Sequence, residues 1–337
     1  MASVSVREVA RHAGVSVGTV SNVLNRPEKV SPDTVSRVLA SIETLGFIRN
    51  DAARQLRAGR SRTIGLVVLD VGNPFFTDVA RGAEEAADAA GYAVLLGNSD
   101  QEPHRETGYL DLFDQQRVAG VLISPLGDVS ERLGRLRAHG IPAVLVDRDG
   151  SDAGLCSASV DDVAGGRLAV EHLLEQGRRR IAFVGGAQDI RQVADRLEGA
   201  RAAVADTPGA SLEVIDVDTL TELAGRAAGE RIVRRAAAAR PDGVFCANDL
   251  LAVGLLQALV MLGDVRVPDD VALVGYDDIA FARATVVPLT SVRQPAALIG
   301  RTVVQMLLEL ADDPGAAVRQ VVFQPELVVR QSSAASG

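Results

Sequence analysis

The chain has little of several residue types, and each shortage narrows what the protein can be. It has no tryptophan, 3% aromatic residues and two cysteines among 337 residues. Two isolated cysteines, Cys156 and Cys246, cannot form a disulfide framework and suit a reducing cytosol. No apolar run reaches the length of a membrane span, and no signal peptide is recognisable. We therefore expect a cytoplasmic protein of two or more domains whose core is built mainly from Val, Leu, Ile and Ala.

Acidic residues outnumber basic ones, but the two kinds are unevenly distributed. The formal net charge is −9. Residues 1–62 hold ten Arg and Lys against five Asp and Glu, a net charge of +5, so the remainder carries −14. A small basic segment on a large acidic body favours phosphate binding at one end and disfavours nonspecific adhesion elsewhere.

The basic segment has the pattern of three short helices. Ser5 and Glu8 have the spacing of a capping box, and Gly14 can adopt the left-handed conformation that ends a helix. Ser16 can cap a second helix, and Ser31, followed by proline, can start a third. The third helix is predicted to bury one apolar face, formed by Val35, Val38, Leu39, Ile42 and Leu45. Two helices joined by a glycine turn predict a helix-turn-helix, whose second helix can enter the major groove of DNA.

From residue 63 onward, short apolar runs alternate with helical segments. The runs are continuous in Val, Ile and Leu, which indicates parallel strands buried on both faces. Strands are predicted at 64–69, 93–96, 120–124, 143–146, 181–184, 212–217, 243–246 and 271–274. Helices are predicted at 75–90, 105–116, 164–176, 194–205, 224–239 and 250–262. So many units favour two α/β subdomains, with a crossing in the polar stretch 147–162.

Short motifs follow one another in a specific order along the chain. Beyond the helix-turn-helix, they include Asn73-Pro-Phe-Phe76, Val146-Asp-Arg148, Arg196-Leu-Glu-Gly199, Ala247-Asn-Asp249 and Val274-Gly-Tyr-Asp-Asp278. Each motif alone is weak, but in this order and spacing they resemble the LacI/GalR family of bacterial transcription regulators. The resemblance implies a small all-α helix-turn-helix headpiece and an α/β core of the periplasmic-binding-protein type with two Rossmann-like lobes.

The resemblance also implies where the domains lie. A DNA-binding domain would occupy residues 1–49, a hinge helix or linker 50–62, and an effector-binding and dimerisation core 63–330. Lobe 1 would take about 63–160 and 292–322, lobe 2 about 161–291 and 323–330, and a flexible tail 331–337. A homodimer on a pseudo-palindromic operator is expected, since one headpiece reads only a few base pairs. No leucine heptads are present for a tetramer helix.

Three positions on the second helix match the family's base-reading positions, namely Val17, Gly18 and Asn22. Arginine is common where Asn22 stands; arginine pairs with guanine, whereas asparagine prefers adenine. Val17 offers an apolar contact and Gly18 no side chain, so few bases would be read by hydrogen bonds, and Asn22 could also simply face solvent. Further residues match phosphate-contacting positions but could serve only as helix caps: Ser5, Ser16, Thr19, Ser21, Asn25, Ser31 and Thr34.

The segment after the headpiece matches the family's hinge at Asn50, Ala53 and Leu56. It has too few apolar residues for a stable lone helix, so it is either a solvated linker or a helix that orders only on DNA. Leu56 matches the family's minor-groove wedge. Paired leucines of a dimer would open a central base step and kink the duplex.

Eight residues match the family's effector cleft, most of them just after predicted strands, where ligands of such sheets bind. They are Phe75, Phe76, Ser124, Asp147, Arg196, Asn248, Asp277 and Gln294. Carboxylates, an amide and an arginine beside an aromatic face suit a small polyhydroxylated effector such as a sugar. Asp147 could instead pair with Arg148, and one of the two phenylalanines could belong to the core. Asp249 and Asp278 look more like caps or cleft-edge groups.

Two other classes share the α/β pattern. An enzyme is disfavoured, because no G-x-G-x-x-G follows the first strand and no Walker, nucleophile-elbow or H-E-x-x-H motif occurs. The four histidines show no ligand spacing, so neither a cofactor nor a metal is expected. A periplasmic sugar-binding protein would carry a signal peptide in place of the basic helix-turn-helix. The sequence favours an allosteric repressor whose effector could release DNA, the commoner family behaviour, or promote its binding.

Leu56→Ala should weaken operator binding about tenfold or more, roughly 1.4 kcal/mol, because alanine is too short to wedge open a base step. The measurement is a gel-shift titration against an operator selected from random DNA, with circular dichroism as the check on folding. Unchanged affinity would show that Leu56 does not enter the groove.

Overall fold

The computed structural model of the chain contains two compact units, Met1–Arg60 and Ser61–Gly337, which we call the headpiece and the core. It describes residues 4–47, 61–151, 153–186, 190–262 and 265–334. In those ranges the headpiece is helical and the core alternates strands with helices, which confirms the predicted fold class. None of the described helices combines the length and the apolar character needed to cross a membrane.

Three helices form the described part of the headpiece. They are α1 (Val6–Ala13), α2 (Val17–Asn25) and α3 (Pro32–Leu45), with a 3₁₀ turn at Pro27–Lys29. The predicted capping box opens α1, and Gly14 ends it with a φ of 64°. Val9, Val20 and Val38, one from each helix, are fully buried and fix the helices against one another.

Leu39 departs from the prediction for α3, because its side chain is 51% exposed while that of Val38 is buried. Neighbouring residues on a helix point about 100° apart. In a unit this small only one of the two can face the centre, so the buried face of α3 is narrower than its apolar pattern implied.

Lobe 1 of the core is built on a sheet of six described strands. The strands are β1 (Thr63–Val68), β2 (Ala93–Asn98), β3 (Gly120–Ile123), β4 (Ala143–Val146), β5 (Cys156–Val160) and β11 (Gln320–Phe323). The helices are α4 (Pro74–Ala89), α5 (Pro103–Gln115), α6 (Ser130–Ala138) and α11 (Ala296–Asp312). The strand order is β11-β5-β4-β3-β1-β2, and the paired strands are parallel.

Lobe 2 repeats this design with a second sheet of six described strands. The strands are β6 (Arg180–Gly186), β7 (Ser211–Val217), β8 (Gly243–Cys246), β9 (Ala272–Asp277), β10 (Thr290–Arg293) and β12 (Glu326–Val328). The helices are α7 (Asp162–Glu175), α8 (Arg191–Ala205), α9 (Glu222–Val233) and α10 (Asp249–Leu262). The order is β12-β10-β9-β8-β6-β7, parallel except for the β10–β12 pair.

The described chain passes between the lobes after β5, after β10 and after β11. β10 stays paired with β9 through Arg293, two residues beyond the boundary expected at 291. β11 stays paired with β5 through Phe323, one residue beyond the boundary expected at 322. The lobes therefore meet at three short connections, near residues 161, 294 and 324.

Several elements are absent from the sequence prediction, namely β5, β10, β11, α6 and α11. β5 shows why, because its sequence Cys-Ser-Ala-Ser-Val lacks the large aliphatic residues of a recognisable core strand, yet every residue in it is buried. The helix predicted at 224–239 ends at Val233, and a 3₁₀ turn follows at Ala237–Ala239.

The tail predicted to be flexible from residue 331 is held in place as far as residue 334. Ser332 is fully buried; its carbonyl accepts from the N–H of Leu273 at 2.7 Å, and its Oγ accepts from the N–H of Thr290 at 2.8 Å. His172 Nε2 lies 2.7 Å from Ser333 Oγ. The prediction is wrong for these residues, because their short hydroxyl side chains pair with the starts of β9 and β10.

Helices α4 and α11 approach each other along glycines. A Cβ atom at Gly82 would lie 2.1 Å from the carbonyl oxygen of Ala297, and one at Gly300 would lie 2.0 Å from that of Val79. The two backbones are therefore too close for any side chain at these positions. In lobe 2, a Cβ atom at Gly166 on α7 would likewise lie 2.0 Å from the carbonyl oxygen of Arg196.

Gly300→Ala should lower the free energy of unfolding by about 1–3 kcal/mol, because the added methyl forces α4 and α11 apart. The matched control is Gly108→Ala on α5, where a Cβ meets nothing within 4 Å. That control should be neutral or stabilising by about 0.5–1 kcal/mol, since alanine is the better helix former. Urea unfolding measures both, and equal effects would contradict the close-packing argument.

Candidate functional site

The exposed face of α2 carries the three residues predicted to read bases. Val17 is 43% exposed, and Gly18 and Asn22 are also exposed. Val20 and Val23 on the opposite face are buried in the headpiece. These three positions therefore offer one amide and one apolar side chain, and Gly18 leaves the backbone near the start of the helix uncovered.

The residues predicted to contact phosphates sit at helix starts and on α2. Ser16 Oγ accepts from the N–H of Thr19 at 3.0 Å, and Ser31 Oγ donates to Thr34 Oγ1 at 2.9 Å. Ser5 accepts from the N–H of Glu8, and Asn25 donates to the carbonyl of Ser21. All seven lie at the surface or only partly buried, so capping and phosphate binding remain compatible. The hinge positions Asn50, Ala53 and Leu56 lie outside the described residues.

In the core, the carboxyl ends of strands from both lobes meet around a cavity of about 40 Å³. Six of the eight predicted effector residues line it: Phe75, Phe76, Asp147, Arg196, Asn248 and Asp277. Asp147, Asn248 and Asp277 lie at or just beyond the carboxyl ends of β4, β8 and β9. Phe75 and Phe76 lie in the first turn of α4, which follows β1, and Arg196 lies on α8. We call this space the inner cavity.

Arg196 is the buried cation of the site. Its Nε donates to Asp162 Oδ1 at 2.7 Å, its Nη1 donates to the carbonyl of Ala247 at 2.7 Å, and its guanidinium lies 3.7 Å from the ring centroid of Tyr276. Burial alone would lower the pKa of Arg196, but the surrounding acidic groups, Asp162 foremost, raise it above its ordinary value. Arg196 therefore stays charged in a closed, ion-paired setting.

Asp277 is held between the lobes in a strained conformation. Its φ is 106°, a region that non-glycine residues rarely adopt. Gln294 Nε2 donates to its Oδ1 at 2.7 Å and Asn73 Nδ2 donates to its Oδ2 at 3.1 Å. Burial raises the pKa of Asp277 to about 6, even though Arg196 and the two amides favour its ionised form.

Asp147 forms the second bridge between the lobes. Gln192 Nε2, from α8 of lobe 2, donates to its carbonyl at 2.6 Å and to its Oδ2 at 3.1 Å. Its φ is 53°. Burial, reinforced by the nearby charge of Asp162, raises the pKa of Asp147 well above its ordinary value. The hydrogen-bond partner of this carboxyl is Gln192, whereas pairing with Arg148 was the alternative left open by the sequence.

The remaining predicted residues differ in position. Phe75 and Phe76 are both buried, meet edge to face at 5.0 Å and line the cavity while belonging to the core. Asn248 caps α10 and also lines the cavity. Gln294 does not line the cavity but holds Asp277. Ser124 is buried but does not line the cavity.

Three residues of the site escaped the sequence prediction, namely Asn73, Asp162 and Gln192. Asp162 follows β5, so recognition of that strand would have placed it at a strand end. Gln192 lies one helical turn before Arg196, on the same face of α8. Asn73 caps α4 through the N–H of Phe75 and at the same time reaches Asp277. Within the described residues, no group of three or more His, Cys, Asp or Glu is arranged to hold a metal ion.

The raised pKa of Asp277 predicts a pH-dependent stability. The carboxyl binds its proton more tightly in the folded core, so this stabilisation is complete below about pH 4 and is lost as the pH rises through 6. The difference in the free energy of unfolding between the wild type and Asp277→Asn should fall by up to about 3 kcal/mol between pH 4 and 7. Urea unfolding over this range measures it, and Asp218→Asn, an exposed control in lobe 2, should reproduce the wild-type profile.

Comparison with known proteins identifies both units. A family described as bacterial regulatory proteins, lacI family, matches residues 5–50, and one described as a periplasmic binding protein-like domain matches residues 170–333. The chain is 34% identical over 334 residues to an HTH-type transcriptional repressor PurR of Photobacterium profundum, covering 97% of this chain and 98% of that protein.

Solved structures agree with this assignment. The lac repressor dimer bound to operator and the anti-inducer ONPF has a TM-score of 0.84 and 26% identity, covering 99% of this chain and 100% of that one. A LacI family transcriptional regulator from Enterococcus faecium with bound ribose has a TM-score of 0.73 and 27% identity, covering 82% of this chain and 100% of that one. This chain therefore belongs to the LacI family of bacterial transcription regulators.

Proposed function

We propose that this protein is a repressor that binds a pseudo-palindromic operator as a homodimer and loses affinity for it when a carbohydrate enters the cleft between the lobes. The observation that carries the proposal is the inner cavity, where Asp147, Arg196, Asp277 and two phenylalanines converge. In this proposal the protein acts by binding and not by catalysis, and it works in the cytoplasm together with its operator.

The headpiece supports operator recognition with few direct hydrogen bonds to bases. Asn22 is an amide on the exposed face of α2 that can pair bidentately with an adenine, and Val17 can pack against a thymine methyl. Specificity then depends on two-fold symmetry, on phosphate contacts from the cap residues and on the kink made by Leu56 in the hinge.

The chemistry of the inner cavity supports a sugar. A sugar ring carries hydroxyls around its edge and apolar C–H groups on its faces. Asp147 and Asp277 can accept from hydroxyls, Arg196 can donate, and the rings of Phe75 and Phe76 can pack against a C–H face. The ribose bound to the Enterococcus faecium relative supports the same class of effector.

The bridges between the lobes support coupling to DNA. Asn73 and Asp277, from opposite lobes, share a hydrogen bond, and so do Asp147 and Gln192. The inner cavity of about 40 Å³ is far smaller than the roughly 300–1,000 Å³ of a small-molecule site, so an effector must part the lobes. That movement would separate the two hinges of a dimer. A coupling of about 1–3 kcal/mol corresponds to a roughly 5–150-fold change in operator affinity.

Exposed apolar side chains support a homodimer. In lobe 1, Leu95 and Leu96 on β2 are 45% and 46% exposed; in lobe 2, Leu223, Met261 and Phe281 are 78%, 73% and 68% exposed. Large exposed apolar groups on both lobes are typical of surfaces that pair with another subunit.

A saturating carbohydrate should lower operator affinity at least about fivefold. The measurement is fluorescence anisotropy with an operator selected from random DNA and a panel of monosaccharides and disaccharides. Asp277→Asn should keep operator binding but lose the response, because the amide retains only one acceptor oxygen and its NH2 group cannot accept from a hydroxyl. Asp218→Asn is the matched control and should respond like the wild type. If every sugar left operator affinity unaltered, the proposed effector class would be wrong.

A further inference from the structure

A second cavity, which we call the outer cavity, shares two lining residues with the inner cavity. Its volume is about 330 Å³. Lobe 1 lines it with the loops after β3 and β4, and lobe 2 lines it with the first turn of α8. Asp147 and Gln192 line both cavities, so these two side chains form a shared wall.

The two cavities differ in volume and therefore in the size of ligand that they can hold. Small-molecule sites usually measure about 300–1,000 Å³. The outer cavity reaches this range, while the inner cavity, at 40 Å³, admits a ring only after the lobes part. The larger space therefore accepts part of a ligand without rearrangement.

The shared wall carries hydrogen-bonding atoms that the protein leaves unused. Within the described residues, Asp147 Oδ1 and Gln192 Oε1 are buried and have no hydrogen-bond partner, and the two residues are 3% and 5% exposed. Leaving a buried polar group unsatisfied costs about 1–3 kcal/mol. A ligand hydroxyl donating to either atom would remove that cost.

The charge of the outer cavity favours a neutral ligand rich in hydroxyls. Asp195 is paired with Arg191 at 2.7 Å, and Asp162 with Arg196 at 2.7 Å, so two of its carboxylates are already neutralised. Asp147, Gln192 and Arg148 supply both acceptors and donors, and Leu145 and Leu155 add apolar surface to the lining. Aspartates outnumber arginines in the lining, which disfavours a phosphate, whereas the hydroxyls of a sugar ring can use both its acceptors and its donors.

We propose that the effector has two linked rings and belongs to the disaccharides or glycosides. One ring would enter the inner cavity beside Phe75 and Phe76, and the other would occupy the outer cavity and donate hydroxyls to Asp147 Oδ1 and Gln192 Oε1. This inference rests on the proposed response to a carbohydrate and adds the size of that carbohydrate.

The test is isothermal titration calorimetry on the full-length protein with glucose, galactose and ribose, and with cellobiose, maltose, lactose and melibiose. A disaccharide should bind at least about tenfold more tightly than its component monosaccharides. The contribution of the outer cavity is then isolated with Gly127→Phe, because Gly127 lines that cavity and a Cβ there meets nothing within 4 Å.

Gly127→Phe should weaken disaccharide binding about tenfold or more and leave any monosaccharide affinity within about twofold. The matched control is Gly134→Phe on α6, an exposed position of lobe 1 that also has open space around its Cβ and should change neither affinity. Thermal unfolding of both variants checks that they fold.

The outcomes separate this inference from the proposed function. Selective loss of disaccharide binding in Gly127→Phe supports it. Binding of a monosaccharide as tight as that of every disaccharide overturns it and leaves the carbohydrate response standing, as does an equal effect of Gly127→Phe on both. If none of the seven sugars binds, the carbohydrate response itself fails and this inference falls with it.

Discussion

The core depends on the burial of one guanidinium. Arg196 is 5% exposed, and a buried charge is tolerated only where partners replace the water it has lost. Asp162 at the start of α7, the carbonyl of Ala247 after β8 and the ring of Tyr276 in β9 supply those partners. Arg196 on α8 therefore contacts the start of α7, the end of β8 and β9. Asp277 follows Tyr276 in β9 and lies at the edge of the cleft.

Three aspartates share the single positive charge of Arg196. Asp162 is its direct partner, and Asp277 lies 4.0 Å from its Nη1. The positive charge of Arg196 also acts to lower the pKa of Asp147. Burial outweighs this attraction for Asp147 and Asp277 and raises the pKa of each. These two carboxyls also carry the hydrogen bonds that join the lobes. In the proposed function, ligand recognition and lobe closure use the same two groups, which is what an effector-controlled switch requires.

The sequence predicted much of the lining of the inner cavity because strand ends are a local signal. A run of Val, Ile or Leu followed by a polar residue placed Asp147, Asn248 and Asp277 at the cavity. The same rule missed Asp162, since the strand before it is built from small and hydroxyl residues that carry no strong apolar pattern. Ser332 was misread for a related reason, because its hydrogen bonds to β9 and β10 leave no trace in composition.

What the sequence by itself determined is what local physics governs: the capped helices of the headpiece, the alternation of buried strands and helices, the basic and acidic halves, and the motif order of the family. The tertiary structure alone decided which side chains meet. Asn73 and Asp277 are 204 residues apart and touch because two sheets turn their carboxyl ends toward one cleft. The division of that cleft by Asp147 and Gln192 likewise follows from lobe closure. Spacing along the chain specifies a helix or a strand, but it cannot specify contacts that exist only once both lobes have folded and met.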